Sequence, residues 1–201
     1  ADQLGDPKPV IASYTAVNNG LLDLTALLAR RSPDAALTLQ LQSYVALANA
    51  KEKLGLERAQ LANVFITNAF APGQFVLVNQ LIAAQQTYLS VFEKTATPEV
   101  LAAWAKVQKD PSFQQVADYE QRANDHAQTG GFGVAGATWF DTVTTKINKL
   151  KELEDAQGRT ISAHVVALHD QAQRAFLVAI TVTLLLFLLV AALGVGVIVS
   201  I

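Results

Sequence analysis

Residues 176–201 read FLVAITVTLLLFLLVAALGVGVIVSI and contain no charged side chain. An α-helix rises about 1.5 Å per residue, so about 20 apolar residues are enough to cross the hydrocarbon core of a bilayer. A signal-peptide core is shorter and lies at the N-terminus of a chain. The stretch therefore predicts a single transmembrane helix at the end of this chain, which we place at residues 175–201.

Small residues recur every four positions within this predicted span, at Ala192, Gly196 and Ser200. Small side chains at this spacing let two membrane helices approach closely. The pattern is typical of a homodimer, and a single span makes membrane lipid a partner of the chain.

The helix before the span is predicted to enter it without a break. It follows a glycine-rich loop at 130–136, and Thr138 with Asp141 three residues later resembles a capping box. No proline separates this helix from Arg174 and the span. We expect one continuous helix from the domain into the membrane, which would carry a shift at its outer end across the bilayer.

Five further helices are predicted upstream, after an irregular lead-in at 1–9. They cover residues 10–31, 34–69 and 74–94, a short helix after Thr97, and a helix from Asp110 to about His126. Each proline falls where a helix tolerates it, and Ser32 with Pro33 is expected to cap and begin the second helix. The predicted fold class is all-α: an antiparallel helical bundle over residues 10–174 whose long C-terminal helix continues into one transmembrane helix.

Composition and motifs argue against several functional classes. The net charge is −2 and there is no run of Lys or Arg, which argues against a nucleic-acid partner. With no cysteine and three scattered histidines, we expect no metal site. We find no nucleophile–His–acid set, and the spaced glycines at 131–136 follow a predicted helix rather than a strand. We therefore expect no catalytic residues, no cofactor and no enzyme activity in this segment.

Two cations interrupt the apolar pattern of the second predicted helix. Continued from Leu37, the apolar seam places Lys51, Gly55 and Arg58 at inward positions. An unpaired buried charge is costly, so each cation needs a partner. One interpretation is an anion pocket between helices, with the planar guanidinium of Arg58 as its main donor and Gly55 leaving room. The other is that Lys51 pairs with Glu52, Glu57 or a carboxylate on a facing helix, and only its stem packs.

Arg122 is a candidate site residue, and Trp139 and Phe140 are candidate core residues. Arg122 lies among acidic residues of the fifth predicted helix, which is typical of a solvated, salt-bridged face. Trp139 and Phe140, near the start of the last helix, are expected to be core anchors.

The stretch 44–59 reads YVALANAKEKLGLERA and resembles the signature Y..L...KE..G.ERA of the nitrate- and nitrite-sensing (NIT) domain. The later stretches QTYLSVF at 86–92 and WFDTVTTKI at 139–147 are also similar to that family, in the expected order. So is a last helix that leads straight into a membrane span. The similarity covers Val10 to Asp170.

The resemblance implies a helical bundle at the sensory end of bacterial receptors, which include histidine kinases, cyclases, chemoreceptors and antiterminators. It also implies that nitrate or nitrite binds through arginines from several helices. Arg58 lies in the matching motif, and Arg122 is carried over by its place in a later helix. The family's first helix contributes a further arginine, and Arg30 and Arg31 lie at a helix end and do not replace it. We therefore expect the domain to be N-terminally incomplete, or to have lost its ligand and kept the scaffold.

The leading hypothesis is the sensory domain of a receptor in the cell membrane. A small anion, nitrate or nitrite, would bind between helices at Arg58, Lys51 and Arg122. The signal would pass through the membrane helix to a cytoplasmic output domain, expected to be a histidine kinase, and the sensor would lie outside the cytoplasm. One alternative is a ligand-independent structural or protein-interaction ectodomain, in which both Lys51 and Arg58 pair with internal carboxylates. Another is a chemoreceptor-type bundle that binds an organic acid.

Overall fold

The protein is described by a computed structural model that covers residues 13, 16, 17, 20–25, 27 and 31–199, with the backbone alone for 194–199. Every regular element within these residues is an α-helix, which confirms the all-α prediction. Five helices have defined bounds: α1 Ala35–Thr67, α2 Gln74–Thr95, α3 Pro98–Val107, α4 Pro111–Asp125 and α5 Gly136–Val199. Residues 20–25, before α1, are also helical. The predicted lead-in at 1–9 lies outside the described residues, as does much of the predicted helix at 10–31.

The N-cap of α1 lies two residues after the predicted one. Asp34, not Ser32, is the N-cap, and its side chain accepts a hydrogen bond from the backbone N–H of Leu37 at 2.6 Å. The hydroxyl of Ser32 accepts instead from the N–H of Asp34 at 3.2 Å, so the serine shapes the turn before the cap. Pro33 therefore precedes the helix rather than occupying its first position. A carboxylate at the N-cap satisfies a free N–H and also suits the positive end of the helix dipole.

The caps of the two short helices are as predicted. Thr97 accepts from the N–H of Val100 at 3.5 Å, and Asp110 accepts from the N–H of Ser112 at 3.0 Å. Both helices have proline in their first turn, where its missing N–H costs nothing.

The last helix begins at Gly136, so the predicted capping box at Thr138 is wrong. The N–H of Trp139 already donates to the carbonyl of Ala135 at 3.0 Å, which places Thr138 inside the first turn. A β-carbon at Gly136 would lie 2.5 Å from Cγ1 of Ile66 on α1. Glycine is thus needed here because the start of α5 and the end of α1 approach too closely for any larger residue.

Aromatic side chains fill the core in two clusters. Phe65 of α1 makes edge-on contacts with Phe132 of the glycine-rich loop and with Trp139 of α5, each at 5.5 Å between ring centres. Trp104 of α3 contacts Phe92 of α2 and Phe113 of α4, each at 5.7 Å. Such rings bury large apolar areas and add a specific edge-to-face geometry. The loop at 130–136 is therefore a packed connection between α4 and α5, not a phosphate cradle.

The chain divides into two compact units, residues 1–159 and residues 160–201. The first contains α1 to α4, the first part of α5 and the aromatic core. In the second, all side chains from 171 to 193 are exposed although most of them are apolar. Among the described residues, one helix is long and apolar enough to cross a membrane, and its most apolar stretch has a mean hydropathy of 3.0.

Candidate functional site

The buried face of α1 is not the face that the sequence pattern predicts. Six of its residues are completely buried: Leu47, Ala50, Leu54, Glu57, Leu61 and Val64. This set lies one residue before the predicted seam, a rotation of about 100° about the helix axis. Lys51, Gly55 and Arg58 consequently lie at the half-buried edge of the helix. A β-carbon at Gly55 would meet no atom within 4 Å, so this glycine is not needed to clear space for the cations.

Lys51 forms an ion pair with Glu154 of α5. The side chains are 20% and 10% exposed, so the pair is largely shielded from water. The hydroxyl of Tyr44 donates to the other oxygen of Glu154 at 3.3 Å. Burial, followed by the nearby Glu154 carboxylate, raises the pKa of Tyr44, which keeps it protonated as a donor. A cavity of about 200 Å³ adjoins this cluster and is lined by Leu21, Tyr44 and Lys51 among others.

Arg58 has no carboxylate partner among the described residues. Its Nη1 donates to the hydroxyl of Thr144 on α5 at 2.7 Å, and its guanidinium carbon lies 4.3 Å from the ring centre of Phe140. Its Nε is buried and has no acceptor in the described part of the chain. Phe140 is 43% exposed, so the prediction of a core anchor is wrong, and its ring covers one face of the guanidinium. Trp139 is fully buried, as predicted.

The contacts of Arg58 leave its positive charge without a counter-charge. Desolvation lowers the pKa of Arg58 from its ordinary value, although an arginine remains protonated in proteins. The stacked ring contributes a modest cation–π attraction. The indole Nε1 of Trp139 donates to the backbone carbonyl of Arg58 at 2.9 Å, which ties this part of α1 to α5. The guanidinium of Arg58 is therefore fixed by its contacts and partly desolvated, and its Nε has no acceptor among the described residues.

Arg122 lies in a different environment. It is exposed, and a β-carbon at Gly133 would lie 4.0 Å from its Nη1, which places it beside the glycine-rich loop. The predicted salt-bridged face does not form, because within the described residues no ion pair includes Arg122. The neighbouring Asp118 and Asp125 accept hydrogen bonds from glutamines four residues before them, Gln114 and Gln121.

The sequence pattern missed a second polar cluster. Glu57 of α1 is completely buried, and Glu120 of α4, which lies beside it, is partly buried. Lys146 of α5 is 8% exposed, and its Nζ lies 5.3 Å from the ring centre of Phe113. A seam drawn one residue earlier would have shown a glutamate in an otherwise apolar row. Within the described part of the chain, including this cluster, no three His, Asp or Glu side chains are grouped closely enough to hold a metal ion.

The comparisons with known proteins agree with this architecture. The sequence model of a family described as nitrate and nitrite sensing matches residues 1–162. No curated protein and no solved structure matches the chain. The family match covers most of the chain and includes both cations of α1 and their partners on α5. The chain therefore belongs to the nitrate- and nitrite-sensing (NIT) family, and it carries a sensory rather than a catalytic domain.

Proposed function

We propose that this chain is the sensory part of a membrane receptor in which nitrate or nitrite binds at Arg58, between α1 and α5. The observation that carries the proposal is the partly desolvated guanidinium of Arg58, which has no carboxylate within ion-pair distance among the described residues. A charge in such a place is costly unless an anion accompanies it. The family match supports a small anion as that partner.

The shape of the free guanidinium edge favours a planar oxyanion. Nη1 is engaged by Thr144, while Nε and Nη2 have no acceptor among the described residues. Two oxygens of nitrate or nitrite match two parallel N–H donors of an arginine. Lys51 is not included in this site, because Glu154 already neutralises it. Arg122 is not included either, because its contacts lie at the glycine-rich loop.

Anion binding at this place acts directly on the helix that continues toward the membrane. Arg58 belongs to α1, whereas Thr144 and Phe140 belong to α5, which is helical through Val199. An anion that changes these contacts favours one packing of α5 against α1, and the receptor responds through that shift in population. A coupling of about 1–3 kcal/mol is typical of such systems. The sensor lies outside the cytoplasm, and the receptor is a dimer whose output domain is a histidine kinase.

The rival structural hypothesis requires both cations of α1 to be paired with carboxylates. Lys51 meets that requirement and Arg58 does not. One observation supports the organic-acid hypothesis: a cavity of about 200 Å³ lies beside Lys51. Three of its polar lining residues, Tyr44, Lys51 and Glu154, are already bonded to one another, however, so an acid that binds to them would have to displace an existing ion pair.

The test is thermal unfolding of the full chain in lipid nanodiscs. Nitrate, nitrite, chloride and acetate are titrated separately at constant ionic strength. A saturable rise of the midpoint with nitrate or nitrite is expected, equivalent to about 2.7 kcal/mol at a concentration 100 times the Kd. The variant Arg58→Ala should abolish the rise, while Arg159→Ala, an exposed arginine on α5, should retain it.

Each other outcome contradicts the proposal in a different way. A nitrate response that survives Arg58→Ala would place the anion elsewhere. A rise with acetate alone would favour the organic-acid receptor. No rise with any anion would favour the ligand-independent bundle.

A further inference from the structure

Glu57 stands in the middle of the buried face of α1 and has no donor for its carboxylate. Its exposure is 0%, and neither of its oxygens has a hydrogen-bond partner among the described residues. Oε1 of Glu120, on α4, is also buried and has no hydrogen-bond partner among the described residues. An ionised carboxylate left in this state would lose its hydration without compensation, which native proteins avoid.

The two carboxyl groups are close enough to hydrogen-bond to each other. Ionised carboxylates are acceptors only, so a hydrogen bond between them requires a proton on one of the two. Two like charges in a buried site also repel strongly, so such a pair keeps one proton to a higher pH than an isolated carboxyl group does. With one proton shared, the pair has a single negative charge, which the ammonium group of Lys146 balances.

We propose that Glu57 and Glu120 form a proton-binding site that holds one shared proton at neutral pH and joins α1, α4 and α5 through Lys146. Loss of this proton leaves a net negative charge in the core and weakens the packing of the three helices. The receptor domain thereby has an input for pH. This inference does not depend on anion binding at Arg58.

The charged groups that act on the pair come from all three helices. Burial raises the pKa of Glu57 well above its ordinary value, Glu120 of α4 raises it further, and Lys146 of α5 lowers it. Burial also raises the pKa of Glu120, which Lys146 and the hydrogen bond from Glu57 lower in part. Arg58 is next to Glu57 in the chain, but its guanidinium contacts Thr144 and Phe140.

The direction of the pH effect follows from these shifts. The pKa of the pair is higher in the folded state than in the unfolded state, where a glutamate has its ordinary value of 4.5. The stabilising contribution is therefore complete below the unfolded pKa and is lost as pH rises through the folded pKa. Stability should fall as the solution becomes alkaline, opposite to the behaviour of a salt-bridged carboxylate.

The first measurement is infrared spectroscopy of the full chain at neutral pH in a detergent without carbonyl groups, because lipid esters absorb in the same region as a protonated carboxyl. A protonated carboxyl has a C=O stretching band that an ionised carboxylate lacks. We expect this band in the wild type, its loss on titration to alkaline pH, and its loss at neutral pH in Glu57→Gln and in Glu120→Gln. Glu152→Gln, which removes an exposed glutamate, should retain it. Absence of the band from the wild type at neutral pH would overturn the proposal without the need for any variant.

The second measurement is the unfolding midpoint from about pH 5 to pH 9, the range above the ordinary pKa of a glutamate. Glu57→Gln mimics the protonated group, so its midpoint relative to the wild type should rise with pH, whereas that of Glu152→Gln should not. A difference between Glu57→Gln and wild type that is the same at every pH would contradict the proposal. Because no nitrate is present, failure here is distinct from failure of the anion site.

Discussion

Two cations on α1, Lys51 and Arg58, are one heptad apart, and both extend toward α5. Lys51 meets the carboxylate of Glu154, which also accepts from a tyrosine, so the protein itself neutralises this charge. Arg58 meets a hydroxyl and an aromatic ring, and neither supplies a negative charge. The two positions have similar burial and the same helix as partner. They differ in the charge of the facing residue, which is a carboxylate for Lys51 and a neutral hydroxyl for Arg58.

The difference shows that the place of a cation on a helix does not distinguish a structural role from a ligand-binding role. A paired cation contributes to folding, and replacing one partner leaves a costly charge behind. An unpaired, partly buried cation reduces stability until an anionic ligand neutralises it. Binding of that ligand to the folded state therefore raises the free energy of unfolding. Breaking the Lys51 ion pair should therefore lower stability and leave the nitrate response intact. Giving Arg58 an internal carboxylate should raise stability and abolish the nitrate response.

The largest effect is expected from Glu154→Gln, which leaves Lys51 without a counter-charge. We expect a loss of about 2 kcal/mol, less than the ~3–5 kcal/mol for a fully buried pair because Lys51 retains some contact with water. Chemical denaturation of the full chain in detergent measures it. The nitrate response should remain, since Arg58 is untouched.

The matched control removes both charges together. Lys51→Met combined with Glu154→Gln keeps an acceptor for Tyr44 and leaves no unpaired charge, so most of the lost stability should return. If the double variant were as unstable as Glu154→Gln, shape rather than charge would account for the loss. The contrast with Arg58 would then lose its electrostatic basis.

A smaller effect of opposite sign is expected from Thr144→Asp, which gives Arg58 the carboxylate that it lacks. The hydroxyl of Thr144 lies 2.7 Å from Nη1, so a short carboxylate at this position is within reach. We expect a gain of about 1 kcal/mol in the absence of anions, near the upper end for partly exposed ion pairs. The same change should abolish the nitrate-dependent rise of the unfolding midpoint.

Thr144→Asn is the control for this substitution, because it offers an acceptor of similar size without a charge. Its nitrate response should persist. A nitrate response that remains in Thr144→Asp would contradict the view that an internal carboxylate and the anion compete for the same guanidinium.

Much of the fold could be predicted because it depends on local chemistry. Prolines and capping residues mark the starts of α3 and α4, and an uncharged apolar run marks the part of α5 that is long and apolar enough to cross a membrane. Where two polar residues competed for one cap, as Ser32 and Asp34 do, the local pattern gave the wrong choice. The start of α5 was also misplaced, since the close packing of Gly136 on α1 depends on residues far away in the chain.

The site could be predicted only in part, because its decisive contacts are tertiary. α1 carries apolar residues on most of its surface, so two registers with the same spacing fitted the sequence. The predicted register was wrong, so Glu57 was not predicted to be buried. Arg58 was predicted to be a cation that needs a partner, but nothing local indicates that Lys51 faces Glu154 while Arg58 faces Thr144. That information lies 103 and 86 residues further along the chain, respectively.

The smallest effect is expected at the exposed pair of Lys149 and Glu152, which lies on the same helix as Glu154. The two side chains are 35% and 65% exposed, and the pair is three residues apart within one helix. Glu152→Gln should cost less than about 0.5 kcal/mol, because water and salt screen such a pair and both partners remain solvated when it is broken. The comparison with Glu154→Gln, two residues away, isolates burial as the variable. Equal losses for the two variants would mean that the shielded position of the Lys51 pair does not matter, and the argument that an unpaired Arg58 is costly would fail with it.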